Sequence, residues 1–230
     1  MRNVGPQLQL ETLFVLDERG RIRSTRELRA AAGPAFVLIR GRTEVAWAVH
    51  ADLPEEVAAA VIELAQWEPP LPAWDRPPVH AERYQALIAG EFDAGPAYEF
   101  PDSFISSERL TPIHDEAMLQ THFTGWTAGE IEGGAAPMVA IVVDGSPVSV
   151  CFCARRSDVA AEAGVETAPA YRGRGFAPRT VSAWAVAVRE SGRIPLYSTS
   201  WTNSSSRHLA IKLGLEMYAT TFSIATRAAG

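Results

Sequence analysis

Two apolar runs flank Asp144-Gly145 in "PMVAIVVDGSPVSVCFCARR", the strongest hairpin pattern in the chain. An Asp-Gly pair tolerates the positive φ that a tight two-residue hairpin turn demands. "AAEAGVETAP", beginning at Ala160, extends this as a third strand. The period then changes. In "PRTVSAWAVAVRESG", Val181, Trp184, Ala185 and Val188 fall on one helical face, and Gly192 suits the helix end. "PLYSTSW" reads as a strand, "NSSSRHLAIKLGL" as a helix from Asn203 to Gly214, and "MYATTFSIA" as a last strand. The predicted order is strand, hairpin strand, strand, Gly-rich turn, helix, strand, helix, strand.

Upstream, residues 1 to about 100 read as a small α/β unit. "TLFVLDERGRI" has an apolar run followed by a turn at Glu18 to Gly20, and "AFVLIRGRTEVAWAV" is a hairpin turning near Gly41. "DLPEEVAAAVIELAQW" predicts a helix with Asp52 as N-cap, Pro54 in the first turn, and Glu55 and Glu56 favoured by the dipole. "EPPLPAWDRPPVH" has too many prolines for a regular element. "AERYQALIAG" is a short helix, and "EFDAGPAYEFPD" is expected to be a loop. "SFISSERLT" is expected as a strand. "TPIHDEAMLQTHFTGW" is expected as a helix capped by Thr111, with Met118, Leu119, His122, Phe123 and Trp126 as its stripe. The proline-rich break and this loop place a domain boundary near Pro101, giving units 1–103 and 104–230.

A length of 230 residues allows one large domain or two ordinary ones, and 47% hydrophobic content is ample for a packed core. A formal net charge of −6 argues against a dedicated nucleic-acid binder, which needs a broad basic surface. No apolar run is long enough to cross a bilayer and the N-terminus lacks a signal-peptide core, so a cytoplasmic protein is expected, with no membrane partner. Cys151 and Cys153 share one strand face, which suits buried free thiols, and no further metal ligands lie nearby.

Against that acidic background, "APAYRGRGFAPRT" gathers Arg172, Arg174 and Arg179 around Gly173 and Gly175 between a strand and a helix. The first N–H groups of a helix lack backbone partners, and glycines let an anion approach them. These residues predict a phosphate or pyrophosphate cradle between Arg172 and Ala177, without naming the compound. A P-loop needs Gly-Lys-Ser/Thr where this chain has Gly-Phe-Ala, and a dinucleotide fingerprint needs a third glycine where it has Arg179. For Arg179 the simpler reading is a solvated side chain.

The stretch resembles the Arg/Gln-x-x-Gly-x-Gly/Ala signature of the GNAT N-acetyltransferase superfamily, with Arg172, Gly175 and Ala177 in the specified places. "GVETAPAY" looks like that family's splayed strand, and "NSSSRHLAIKLGL" is similar to its later helix. The resemblance covers about residues 104–230. It implies a mixed, mostly antiparallel α/β (α+β type) sheet flanked by helices, preceded by the small N-terminal α/β domain. It also implies acetyl-CoA as co-substrate and a primary amine of a small molecule, peptide or protein as acceptor. The main chain of Val165, Glu166 and Thr167 would pair with the pantetheine arm. The turn of Arg172, Gly173, Arg174, Gly175, Phe176 and Ala177 would take the pyrophosphate. Asn203 and Ser206 would contact the pantetheine or phosphate region, unless Asn203 is only a helix cap.

Two positions depart from the family pattern. Where relatives carry a tyrosine that protonates the departing thiolate, this chain has Ala210. Where they place a side-chain base it has Ala161 and Ala163, which leaves Glu162 as candidate base only if a bulge turns it inward. His114 and His122 fall near a possible acceptor groove, though a surface or packed histidine is the commoner case. The departures admit an alternative, a non-catalytic acyl-CoA sensor.

Overall fold

Strands from both ends of the chain share one sheet. The computed structural model describes residues 4–71, 73, 74, 76–104, 106 and 108–225. After helix α1 (Pro6–Leu13), strands β1 (Phe14–Leu16) and β2 (Ile22–Thr25) form a separate antiparallel ribbon. The main sheet contains β3 (Phe36–Gly41), β4 (Val45–Val49), β5 (Glu91–Glu99), β6 (Thr111–Pro112), β7 (Val139–Val143), β8 (Ser146–Arg156), β9 (Ala160–Thr167), β10 (Ile194–Ser198) and β11 (Glu216–Ala225). Their spatial order is β4-β3-β11-β5-β10-β9-β8-β7-β6. Every adjacent pair is antiparallel except β9 and β10. The mixed, mostly antiparallel sheet flanked by helices is the one expected.

Helices α2 (Glu55–Ala65), α3 (Ala81–Ile88), α4 (Phe176–Glu190) and α5 (Ser204–Lys212) complete the layers. Strand alternation sorts the core by face. On β5, Tyr98 packs with Trp184 and Val188 of α4, and Ala94 packs beside the α2 and α3 cluster of Val61, Leu64 and Tyr84. Ala97, pointing the other way, joins Leu10 and Leu13 of α1. On that second face Val150 of β8 packs with Leu119, Phe123 and Ile131. Cys151 and Cys153 are buried free thiols in the α4 layer. The hairpin turn expected at Asp144-Gly145 has φ of 50° and 78°, as its type requires.

Three elements differ from expectation. The supposed loop at residues 91–102 contains β5, and it is central. Gly95 and Pro96 read as breakers, but here the glycine serves close approach: a Cβ on it would stand 1.7 Å from the Thr199 carbonyl. Pro96 lies one residue before the β10 pairing begins, and its carbonyl still accepts from the Thr199 N–H at 3.2 Å. The helix expected over residues 111–126 is mostly irregular. Thr111 and Pro112 pair with β7, and helical geometry is confined to a short turn at Glu116–Leu119. Asp115 caps that turn by accepting from the Ala117 N–H at 2.8 Å, and the buried Glu116 carboxylate accepts from the Ile131 N–H at 2.8 Å. Leu119 and Phe123 are buried as the stripe requires, without the continuous helix. The expected strand at "SFISSERLT" includes residues 105 and 107, outside the described residues; regular pairing begins only at Thr111.

Asp52 makes no cap: α2 starts after Pro54 without a side-chain cap. Conversely α1, which the sequence reading does not contain, begins with Pro6 after the extended Gly5. The division expected at 103/104 is not a division of the sheet. Strand β5, from the first unit, lies between β10 and β11 of the second, and β3 pairs with β11.

Candidate active site

Parallel pairing between β9 and β10 covers three positions and stops at Glu162↔Leu196. Beyond it β9 continues on β8 through Ser149↔Thr167, while β10 continues on β5 through Tyr197 and Ser198. The two strands therefore splay. Between them lies a cleft of about 550 Å³, lined by Val165, Glu166 and Thr167 on one side and Tyr197, Asn203 and Ser206 on the other. The β9 edge that faces it has left its strand partner behind, so its main-chain groups are available to an extended ligand.

The cleft runs to the start of α4. A short turn at Pro169–Tyr171 leads into Gly173 and Gly175, both at φ 75°. Only glycine holds that conformation without strain. A Cβ on either would meet nothing within 4 Å, so the space over the turn is open. Helix α4 begins at Phe176 with no side-chain cap and no acidic residue in its first turn. Its uncapped N–H groups and its dipole favour an anion there. Arg172 donates from Nε to the Thr167 carbonyl at 3.1 Å, and Arg174 lies over the Tyr171 ring at 5.0 Å. Arg179 is paired with Glu108, which agrees with its reading as a surface side chain.

Asn203 caps α5: its Oδ1 accepts from the Ser206 N–H at 3.0 Å, and its side chain also lines the cleft. Both readings of Asn203 are thus compatible with its place. Ser206 turns its hydroxyl to the Tyr197 hydroxyl, 2.6 Å away. Burial raises the Tyr197 pKa and the Ser206 hydrogen bond partly offsets it, so the phenol stays protonated at neutral pH. Sequence reasoning missed Tyr197. Its signal was a tyrosine at the end of the strand preceding Asn203, facing the same helix as Ala210. Ala210 is fully buried in the α4 layer.

Glu162 stands apart from the cleft lining. It is 2% exposed; Oε1 accepts from Gln9 Nε2 at 2.7 Å and Oε2 from Arg155 Nη1 at 2.9 Å. Arg155 also binds Glu27, and the Tyr218 hydroxyl donates to the Gln9 amide oxygen. The irregular step in this pair of strands falls at Cys153/Arg155 on β8, so β9 keeps its alternation. Both Glu162 oxygens are engaged in structure.

Four residues along, Glu166 is different. It lines the cleft, its side chain has no ion-pair or hydrogen-bond partner among the described residues, and partial desolvation raises its pKa from the ordinary carboxylate value while the residue stays exposed to the cleft. It is paired with Val150, hence on the face of Phe123. His122 lines the same cleft, its ring edge-on to Tyr171 at 5.7 Å. His114 is exposed and does not line the cleft. Among the described residues there is no group of three or more metal-ligating side chains and no helix long and apolar enough to cross a membrane.

Residues 119–221 match the family described as GNAT acetyltransferase. Solved structures similar to it include a GNAT-family acetyltransferase from Novosphingobium aromaticivorans, with 20% identity and TM-score 0.49 over 60% of this chain and 66% of that one. Another is a GNAT-family acetyltransferase from Colwellia psychrerythraea, at 16% identity and TM-score 0.47, covering 62% and 61% of the two chains. A GCN5-related N-acetyltransferase-like protein from Streptococcus suis has 18% identity and TM-score 0.47 over 84% of each chain. The chain thus spans slightly less than two thirds of the first two structures. No curated protein matches it.

Proposed function

We propose that this protein moves the acetyl group of acetyl-CoA to a primary amine of a small molecule, peptide or protein. One observation carries the reading. The β9–β10 pairing ends at Glu162↔Leu196, and the cleft that opens there leads to an uncapped helix start behind two left-handed glycines. An extended chain with an anionic end fits such a channel. The main chain of Val165, Glu166 and Thr167 would hold the pantetheine arm, and the N–H groups from Arg172 to Ala177 the pyrophosphate. Asn203 still has its amide N–H₂ to offer. Acetyl-CoA supplies a thioester carbonyl as electrophile.

The protein's own groups then divide the proton work. Glu166, open to the cleft and without an internal donor, receives the proton of the acceptor ammonium. The neutral amine attacks the carbonyl carbon, an amide C–N bond forms and the C–S bond breaks. Tyr197, held by Ser206, gives its proton to the thiolate and regains one from the newly acylated nitrogen, leaving a neutral amide. This assigns Tyr197 the work that Ala210 cannot do, and moves the base from Glu162 to Glu166.

The test is a mass-spectrometric screen of amines and peptides with acetyl-CoA, run beside calorimetry. Acetylated product together with acetyl-CoA binding is expected. Tight binding without turnover of any amine, even at alkaline pH, would replace the enzyme by an acyl-CoA sensor.

A further inference from the structure

A second cavity, of about 530 Å³, lies on the face covered by α2 and α3. The Thr199–Asn203 loop separates it from the cleft: Trp201 lines the cavity and Asn203 the cleft. Its floor is Ala94 and Phe222, its walls Trp74, Trp201 and Phe92, and α3 closes one side through Gln85. The volume is that of an ordinary small-molecule site. The aromatic walls are held in place. Arg42 sits 4.7 Å over the Trp74 ring, Arg207 lies 5.9 Å from that of Trp201, and Phe92 stacks on Phe222 at 5.8 Å. Yet Phe92 remains 57% exposed, an unusual cost for an aromatic ring with no partner beyond Phe222.

The cavity also carries positive charge. Two arginines line it, Arg40 and Arg76, and no acidic side chain does among the described residues. Arg40 is 3% exposed. Its Nη2 donates to the Arg76 carbonyl at 2.7 Å, but its Nη1 stands 3.8 Å from Glu68, too far for a hydrogen bond. Glu68 is committed elsewhere, accepting from the Val79 and His80 N–H groups at 3.0 and 2.8 Å. Burial lowers the Arg40 pKa, and the Glu68 carboxylate opposes that shift.

A ring-lined cavity with an under-partnered buried guanidinium calls for a flat apolar body with one negative end. We propose that this cavity binds an aromatic monocarboxylate of one or two rings, its rings between Trp74, Trp201 and Phe92 and its carboxylate toward Arg40. Occupancy would bear on the Thr199–Asn203 loop, whose far end caps α5 beside the cleft.

The probe is 1-naphthoate, titrated into the full-length protein and followed by tryptophan fluorescence and calorimetry. One-to-one binding is expected, at least ~10-fold tighter than for uncharged 1-naphthalenemethanol, since a charge-assisted bond replaces a neutral one. Phe92→Glu changes an exposed residue, so folding is retained, and should weaken naphthoate at least ~10-fold through like charge at the wall. Gln85→Trp should fill the cavity and abolish the quench. Three results would each overturn the proposal: no naphthoate binding to the parent protein, equal affinity for acid and alcohol, or full affinity in Phe92→Glu.

Discussion

The two edges of β10 are unlike. Toward β9 it pairs through Ile194, Pro195 and Leu196 and then leaves; toward β5 it pairs through Leu196, Tyr197 and Ser198. One edge opens where the other closes, and Leu196 belongs to both. Strand β10 can part from β9 without losing its own hydrogen bonds because a strand from the first half of the chain receives them. The cleft is therefore a product of both parts of the chain. The same contrast runs along β9. Before the splay Glu162 is locked between Gln9 and Arg155; after it Glu166 faces the cleft without a partner.

The most severe way to break this contrast is to remove β5. A fragment of residues 104–230 would leave β10 and β11 without their shared neighbour. It should show no cooperative thermal unfolding by circular dichroism, where the full chain does. A folded fragment with full acetyl-CoA affinity would mean that β10 keeps its course unaided.

Next in size is the open side of the cleft. Gly175→Val places a β-branched residue at φ 75°, a strain of about 1–3 kcal/mol, and puts methyls into the open space over the turn. Acetyl-CoA affinity by calorimetry should fall at least ~10-fold. Glu166→Gln should cut kcat on an acetylated acceptor by roughly 100-fold. Because partial desolvation raises the Glu166 pKa and the group must be ionised to accept a proton, kcat should decline as pH falls through that raised pKa. The variant should lose that limb of the profile. Tyr197→Phe should lower kcat by about 10-fold or more with little change in the KM for acetyl-CoA.

On the closed side the sign of the effect changes from rate to stability. Glu162→Gln leaves Arg155 with one carboxylate fewer in a largely buried place. Urea unfolding should show a loss of about 1–3 kcal/mol, less than for a fully buried pair because Arg155 retains Glu27 and partial solvent contact. Activity per folded molecule should stay within about threefold. A 100-fold fall in kcat/KM with unchanged stability would make Glu162 the base.

The C-terminal elements were legible because their signals are local. The Asp144-Gly145 turn, the Val181-Trp184-Val188 face and the Asn203 cap each depend on residues within one or two turns of chain. The cradle was legible for the same reason, since glycines between strand and helix state their own geometry. What failed depended on distant partners. Gly95 and Pro96 look like breakers until Thr199, about a hundred residues on, is brought against them. Glu162 reads in the sequence as a candidate base, and only Gln9 and Arg155, from other elements, show why it is buried. Thr111 looked like a cap because Asp115, four residues later, was not recognised as the stronger claimant. Tyr197 gained its meaning from Ser206 on another element.

The place of β5 also bears on how the chain comes into being. Residues 91–99 leave the ribosome well before either strand that will flank them, since β10 starts at Ile194 and β11 at Glu216. At about 5–20 residues per second, the wait for β10 is on the order of 5–20 s. Throughout it the nascent strand has no permanent neighbour, and its Gly95-Pro96 step is a poor template for pairing with another chain. The residues that disguise this strand in the sequence thus protect it during synthesis, until the last quarter of the protein arrives to enclose it.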